Sequence, residues 1–127
     1  MKRPPPKPWV IWLLGIEALL FGAASLVHAG ASSVDYGYMG TAMAEALVSA
    51  ILILSIVASI LRFWPPRTVA LTAQGAVLGV VTIAISIGPQ TRPDHIFHAI
   101  LFVVLALGWI VTFKWNASSR FRYSPLP

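Results

Sequence analysis

The chain contains no cysteine and only four acidic residues in 127. The first absence excludes disulfides, thiolate-held metals and iron–sulfur clusters. Charged residues of both signs together reach 10%, against about 25% in soluble domains, so an ordinary water-facing surface cannot be built from this composition. Equally absent are a phosphate-binding P-loop, a dinucleotide fingerprint, a nucleophile elbow and a HExxH zinc motif. No serine has an evident base, and the connections are too short for a catalytic domain. The chain does not read as an enzyme acting alone.

What the sequence does have is hydrocarbon. Hydrophobic residues make up 57% of it and gather in four runs, near 9–31, 41–61, 68–88 and 94–113. Each is about twenty residues long, enough at 1.5 Å per residue to cross the ~30 Å core of a bilayer. The expected fold is all-α: a polytopic membrane protein forming an antiparallel up-and-down four-helix transmembrane bundle. One domain spans 1–127, with a basic, proline-rich tail at 1–8 and a polar tail at 114–127. The first run is expected to be retained rather than cleaved as a signal peptide, because it exceeds a usual h-region and carries Glu17 and His28.

The net charge of +5 is distributed as a topology signal. Lys2, Arg3, Lys7, Arg62, Arg67, Lys114, Arg120 and Arg122 fall on one side of the four runs and Arg92 alone on the other. This bias places both termini and the middle connection in the cytoplasm, as in a multi-pass protein of a bacterial inner (plasma) membrane. The basic ends then meet anionic head groups of the lipid bilayer, and nucleic acid is not an expected partner. Trp9, Trp12 and Trp64 suit the interface, and Pro65-Pro66 marks a sharp stop. Thr91 followed by Asp94 has capping-box spacing. Asn116-Ala117-Ser118 matches a glycosylation sequon on the wrong side of the membrane for use.

Lipid supplies no hydrophobic drive for helices to associate, so small residues should mark their contacts. Gly75 and Gly79 form a GxxxG pair in the third run, and Ala42 and Ala46 a small stripe in the second. Either can serve packing inside the bundle or contact with a homo-oligomer partner.

Ionisable groups inside a span cost about 2.5–3.5 kcal/mol at its centre on insertion scales, so each needs a reason. Counting from the helix ends brings His28, Glu45 and His98 to one level near the outer boundary, with Asp94 and His95 just above. Imidazoles and carboxylates converging at one depth make a candidate cofactor-binding or metal site of His28, Glu45, His98 and Asp94, suited to a transition metal, a haem or a quinone. The competing explanations are plain. The rings can reach head groups, Asp94 can cap a helix, and Glu45 can rest on its helix dipole. Lower down, Glu17 and Gln74 share a depth and can form an intramembrane hydrogen-bonded pair, a protonated Glu17 donating to the amide.

From the second run onward, Glu45 early in its helix, the aliphatic stretch after it, and Arg62 and Arg67 leading to Ala70 resemble the layout of small bacterial DoxX-like four-helix membrane proteins. That family commonly carries a Gly-x-x-Lys-like feature near the outer end of its first helix, where this chain has Leu26-Val27-His28. The resemblance covers the middle third of the chain. It implies a membrane partner of redox or quinone-linked systems, with Glu45 as the residue carried over. Three functions stay open: a ligand-binding redox-accessory protein, a structural subunit of a larger membrane complex with no ligand of its own, and a small proton-coupled carrier acting as a dimer.

Overall fold

A computed structural model describes residues 5–31, 39–87 and 92–115. Four helices account for nearly all of them: α1 (Pro8–Leu26), α2 (Met39–Ile60), α3 (Pro66–Ile87) and α4 (Arg92–Lys114). The starts follow proline chemistry. Pro8 opens α1 and Pro66 opens α3, at positions where the missing N–H has no intrahelical partner to lose. The third helix therefore begins two residues before the expected 68, and the fourth two before 94. Thr91 and the sequon at 116–118 lie outside the described residues, and so does the side chain of Asp94.

Two helix ends depart from regular α geometry. α1 runs into a π turn, Val27–Ala31, which Gly30 closes at φ 87°. α2 closes with Arg62 N–H donating to Ser59 O (3.3 Å) and Phe63 N–H donating to Ala58 O (3.2 Å). That pairing requires a left-handed residue between helix and loop, usually glycine. Here it is Arg62, at φ 59°, and a side chain in this region costs about 1–2 kcal/mol.

The helices contact one another in a ring, α1 to α2, α2 to α3, α3 to α4 and α4 to α1. Ser25 Oγ donates to Ala42 O (2.7 Å) and Ser49 Oγ to Ala18 O (2.9 Å), which sews α1 to α2. The Arg67 guanidinium donates to the last carbonyls of α4, Nε to Thr112 O (3.4 Å) and Nη2 to Phe113 O (2.7 Å). It supplies a cationic cap where that helix has unsatisfied acceptors. Trp9 meets Trp115 edge-on at 5.3 Å, with Lys7 Nζ 5.6 Å from the Trp115 ring. These contacts gather Lys7, Arg62, Arg67 and Lys114 at one end of the bundle.

Polarity is inverted relative to a soluble bundle. Leu19, Leu47, Leu54, Ile83, Val103 and Leu107 face outward, while Glu17, His28, Glu45, Gln74, His98 and Thr112 are buried. Between the buried polar groups lies an apolar layer that includes Phe21, Val48, Leu52, Val77, Leu101 and Leu105. All four helices are long and apolar enough to cross a membrane, and only 28–33% of each apolar window is buried inside the bundle. Four such helices suggest a multi-pass membrane protein.

Among the described glycines, neighbouring side chains press closest on Gly108 of α4. A Cβ there would collide with Glu17 Oε1 and stand 2.9 Å from Gln74 Nε2. Gly79, by contrast, has nothing within 4 Å of the same position. Gly108→Ala is therefore expected to cost about 1–3 kcal/mol through overpacking. Gly79→Ala should be neutral or stabilising by less than about 1 kcal/mol. Thermal unfolding in mild detergent measures both, and in a Glu17→Ala background the Gly108→Ala penalty should shrink.

Candidate functional site

Glu45 lies about two turns into α2 on the face it shares with Ala42 and Ser49. Ala42 is buried, and Ser49 is half-buried against α1. This small-residue face lets α1 come close enough for His28 to reach across. His28 lies in the π turn Val27–Ala31, just before Gly30. His98 arrives from the second turn of α4. The three side chains are 3–4% exposed, out of reach of bulk water.

His28 Nδ1 and Glu45 Oε2 are 2.7 Å apart. At this distance the ring nitrogen and the carboxyl oxygen share one proton in a direct hydrogen bond. His98 Nε2 stands 3.4 Å from Glu45 Oε1, beyond a short charge-assisted bond. The imidazoles of His28 and His98 stack at 5.7 Å with 27° between their planes, and Phe97 closes on His98 edge-on at 6.0 Å. Among the described residues, Glu45 Oε1 is buried with no hydrogen-bond donor. A buried carboxylate oxygen left in that state costs free energy that a donor from a ligand or a water would recover.

The sequence-predicted residues separate clearly. His28, Glu45 and His98 are brought together. Asp94 occupies the first turn of α4, and His95 is exposed outside the cluster. No group of three or more His, Cys, Asp or Glu among the described residues is arranged to hold a metal ion. The physical reason is visible: Glu45 Oε2 is closed onto His28, and stacked rings turn their faces, not their nitrogens, toward each other.

The lower pair also meets, with the donor reversed from the expectation. Gln74 Nε2 donates to both carboxylate oxygens of Glu17, at 2.9 and 3.0 Å, so the amide is the donor and Gln74 Oε1 is buried without a partner. Gly75 and Gly79 are exposed while α3 turns Ala70, Ala73, Gln74, Val77 and Val81 inward; a Cβ on Gly75 would still stand 3.6 Å from Trp109 Nε1 of α4, and one on Gly79 would meet nothing within 4 Å. Ala46 is exposed too. Sequence reasoning missed Gly108 and Thr112. Both lie within two turns of the end of α4, and a lone glycine at the depth of Glu17 was the available signal.

No family model, curated protein or solved structure matches the chain. The DoxX-like resemblance rests on the residues named above.

A buried carboxylate between two imidazoles is costly to break, because removing one partner strands the others. Glu45→Ala is expected to lose about 3 kcal/mol, with Glu45→Gln losing less. A double-mutant cycle of His28→Ala with Glu45→Ala should give a coupling of about 1 kcal/mol or more in detergent unfolding. In nitrogen-15 histidine spectra, Glu45→Gln should shift the ring signals of His28 and leave exposed His95 unmoved. Additive losses would mean that the pair does not form.

Proposed function

We propose that this chain is a small protein of the bacterial inner membrane whose His28–Glu45–His98 cluster binds a quinone head group, in a redox-accessory role beside larger membrane partners. Its helices run up and down as an antiparallel bundle, with both termini cytoplasmic and the cluster toward the outer side. Residue pairing supports the antiparallel order: Ala18 of α1 pairs with Ser49 of α2, whereas Ser25 and His28, further along α1, pair with Ala42 and Glu45, further back on α2. The α1–α4 contacts of 9 with 115 and 28 with 98 run the same way. The cationic end formed by Lys7, Arg62, Arg67 and Lys114 supports the orientation.

The observation that carries the ligand reading is Glu45 Oε1, a buried acceptor without a donor, beside two buried imidazoles. A quinol hydroxyl can donate to that oxygen, and a quinone carbonyl can accept from a ring N–H. The head group is uncharged and soluble in the hydrocarbon from which this site is reached. A metal or haem needs nitrogens aimed at one point, and the stacked rings do not favour it.

Titration of the detergent-solubilised protein with a short-chain benzoquinol held in its reduced form, followed by tryptophan fluorescence, tests this reading. Wild type should saturate at one equivalent. Glu45→Gln and His28→Ala should bind about tenfold more weakly, the effect of losing one charge-assisted hydrogen bond, and His95→Ala should be unchanged. Equal affinity in all four proteins would overturn the proposal. For topology, the cysteine-free chain gives a clean background. Single cysteines replacing Asp35 or Arg92 should react with impermeant maleimide from outside, and labelling only from the cytosol would reverse the orientation.

A further inference from the structure

The lower polar pair differs from the upper one in charge balance. Glu45 stands beside two imidazoles, whereas the side chain facing Glu17 is the neutral amide of Gln74. The pair is sealed, Glu17 at 1% and Gln74 at 0% exposure, and Gly108 lets the carboxyl lie against the backbone of α4. Ionisable groups of the packed helices stand off. Lys7 and His28 are ten and eleven residues from Glu17 on α1, Arg67 is seven from Gln74 on α3, and Lys114 and His98 are six and ten from Gly108 on α4. On α2, Ser49 donates to Ala18 O at this level, while Glu45 lies toward the helix start and Arg62 follows its end. Six residues of helix span about 9 Å. An ionised carboxyl in such surroundings has no counter-charge, and the smallest group that can supply one is a proton.

The amide geometry responds to that proton. Gln74 Nε2 donates to both oxygens of Glu17, at 2.9 and 3.0 Å, and Oε1 of the same planar group is buried with no hydrogen-bond partner. A protonated carboxyl reverses the need, because its O–H requires an acceptor where the N–H donors stand. Half a turn about the last side-chain torsion, which is broad and roughly two-fold, exchanges Nε2 for Oε1 in the same volume. Each protonation state of Glu17 thus has its own orientation of the Gln74 amide.

Among the described residues, fully buried hydroxyls lie on one side of this pair only. Thr112, one turn beyond Gly108, donates to Gly108 O at 2.8 Å, and Arg67 Nε reaches Thr112 O at the cationic end. Ser55 and Ser59 are buried toward the same end of α2, and Ser59 Oγ has no hydrogen-bond partner. Toward His28 the layer is apolar, with Phe21, Val48 and Leu101.

We propose that Glu17 and Gln74 form a proton-binding switch open to the cationic end: Glu17 takes up one proton from the side of the Thr112 and Ser59 hydroxyls, and the Gln74 amide turns over with it, from donor to acceptor. The ligand is a proton rather than a metal cation, because amide N–H groups occupy the approach to both carboxylate oxygens. The switch carries the acidity at that end to the place where α1, α3 and α4 meet. It stands apart from the quinone reading, which concerns the other end of the bundle.

Infrared difference spectroscopy of the lipid-reconstituted full chain, between acidic and alkaline buffer, tests it. Acidification should raise the carbonyl band of a protonated carboxyl together with a shift of a glutamine amide band. Glu17→Gln should lose both, and Gln74→Met, which leaves the carboxyl in place, should lose only the amide shift. Glu45→Gln should keep both, whatever its effect on quinol binding. Thr112→Val should slow deuterium exchange of the Glu17 proton about tenfold, the effect of one lost hydrogen bond, and Ser25→Ala, across the apolar layer, should leave it unchanged. A Glu17 carboxyl that is the same in both buffers, a titrating carboxyl with a motionless Gln74 amide, loss of the band when sodium replaces choline at fixed pH, or exchange indifferent to Thr112→Val would each overturn the proposal.

Discussion

Two carboxylates withdrawn from water govern how these helices sit together. Glu45 joins three of them, taking His28 from the end of α1 and His98 from α4. Glu17 joins the remaining combination, reaching from α1 to Gln74 of α3 across the backbone of α4 at Gly108. In a low-dielectric interior an unpaired acid is costly enough that each must find partners. Packing in lipid is permissive by comparison, because leucine against leucine resembles leucine against lipid. The polar contacts thus select one register from many that the apolar surfaces would tolerate. The nine Leu, Ile and Val residues of α2 favour insertion by about 3–5 kcal/mol on the biological scale. A mid-span charge costs about 2.5–3.5 kcal/mol. Glu45 lies nearer the helix start than the middle of α2, where the cost is smaller, and its two imidazole neighbours reduce it further.

The two polar layers are separate. Glu17 and His28 are eleven residues apart, about 16 Å along a helix, and the buried side chains between them on α1 are Ala18, Phe21 and Ala24. Val48, Leu52, Val77, Leu101 and Leu105 complete the barrier from the other helices. A proton carrier needs a chain of hydrogen-bonding groups or a movement that supplies one, and this layer interrupts such a chain.

Much of the arrangement could be read from residue order. Helix positions follow from apolar run length and from Pro8, Pro65 and Pro66, and the common level of His28, Glu45 and His98 follows from counting along spans of known rise. Lateral geometry was less legible. Small residues were expected to mark helix contacts, yet the inward face of α3 is set by Ala70, Ala73, Gln74, Val77 and Val81, and the GxxxG pair falls outside that stripe. A motif read pairwise carries no information about which side the neighbours occupy. Nor does composition announce a π turn. Regular helical periodicity was assumed through His28, and only Gly30 hinted that the helix would end abruptly there. The Gln74 amide was expected to accept and instead donates, because donor and acceptor share one planar group whose rotation the sequence does not specify.

The two ends of the bundle are held together differently. At the cationic end, Trp9 and Trp115 pack edge-on, Lys7 covers the indole, and Arg67 caps α4. These contacts tie the start of α1 and α3 to the end of α4 by groups that reach water or head groups easily. At the other end the tie is His28 to Glu45, buried, with the π turn and the left-handed Gly30 immediately following. Gly30 ends the helix in the left-handed conformation that glycine adopts without strain, and His28 lies in the turn it closes. The His28 end is thus held by a buried polar tie, and the cationic end by contacts at the surface of the bundle.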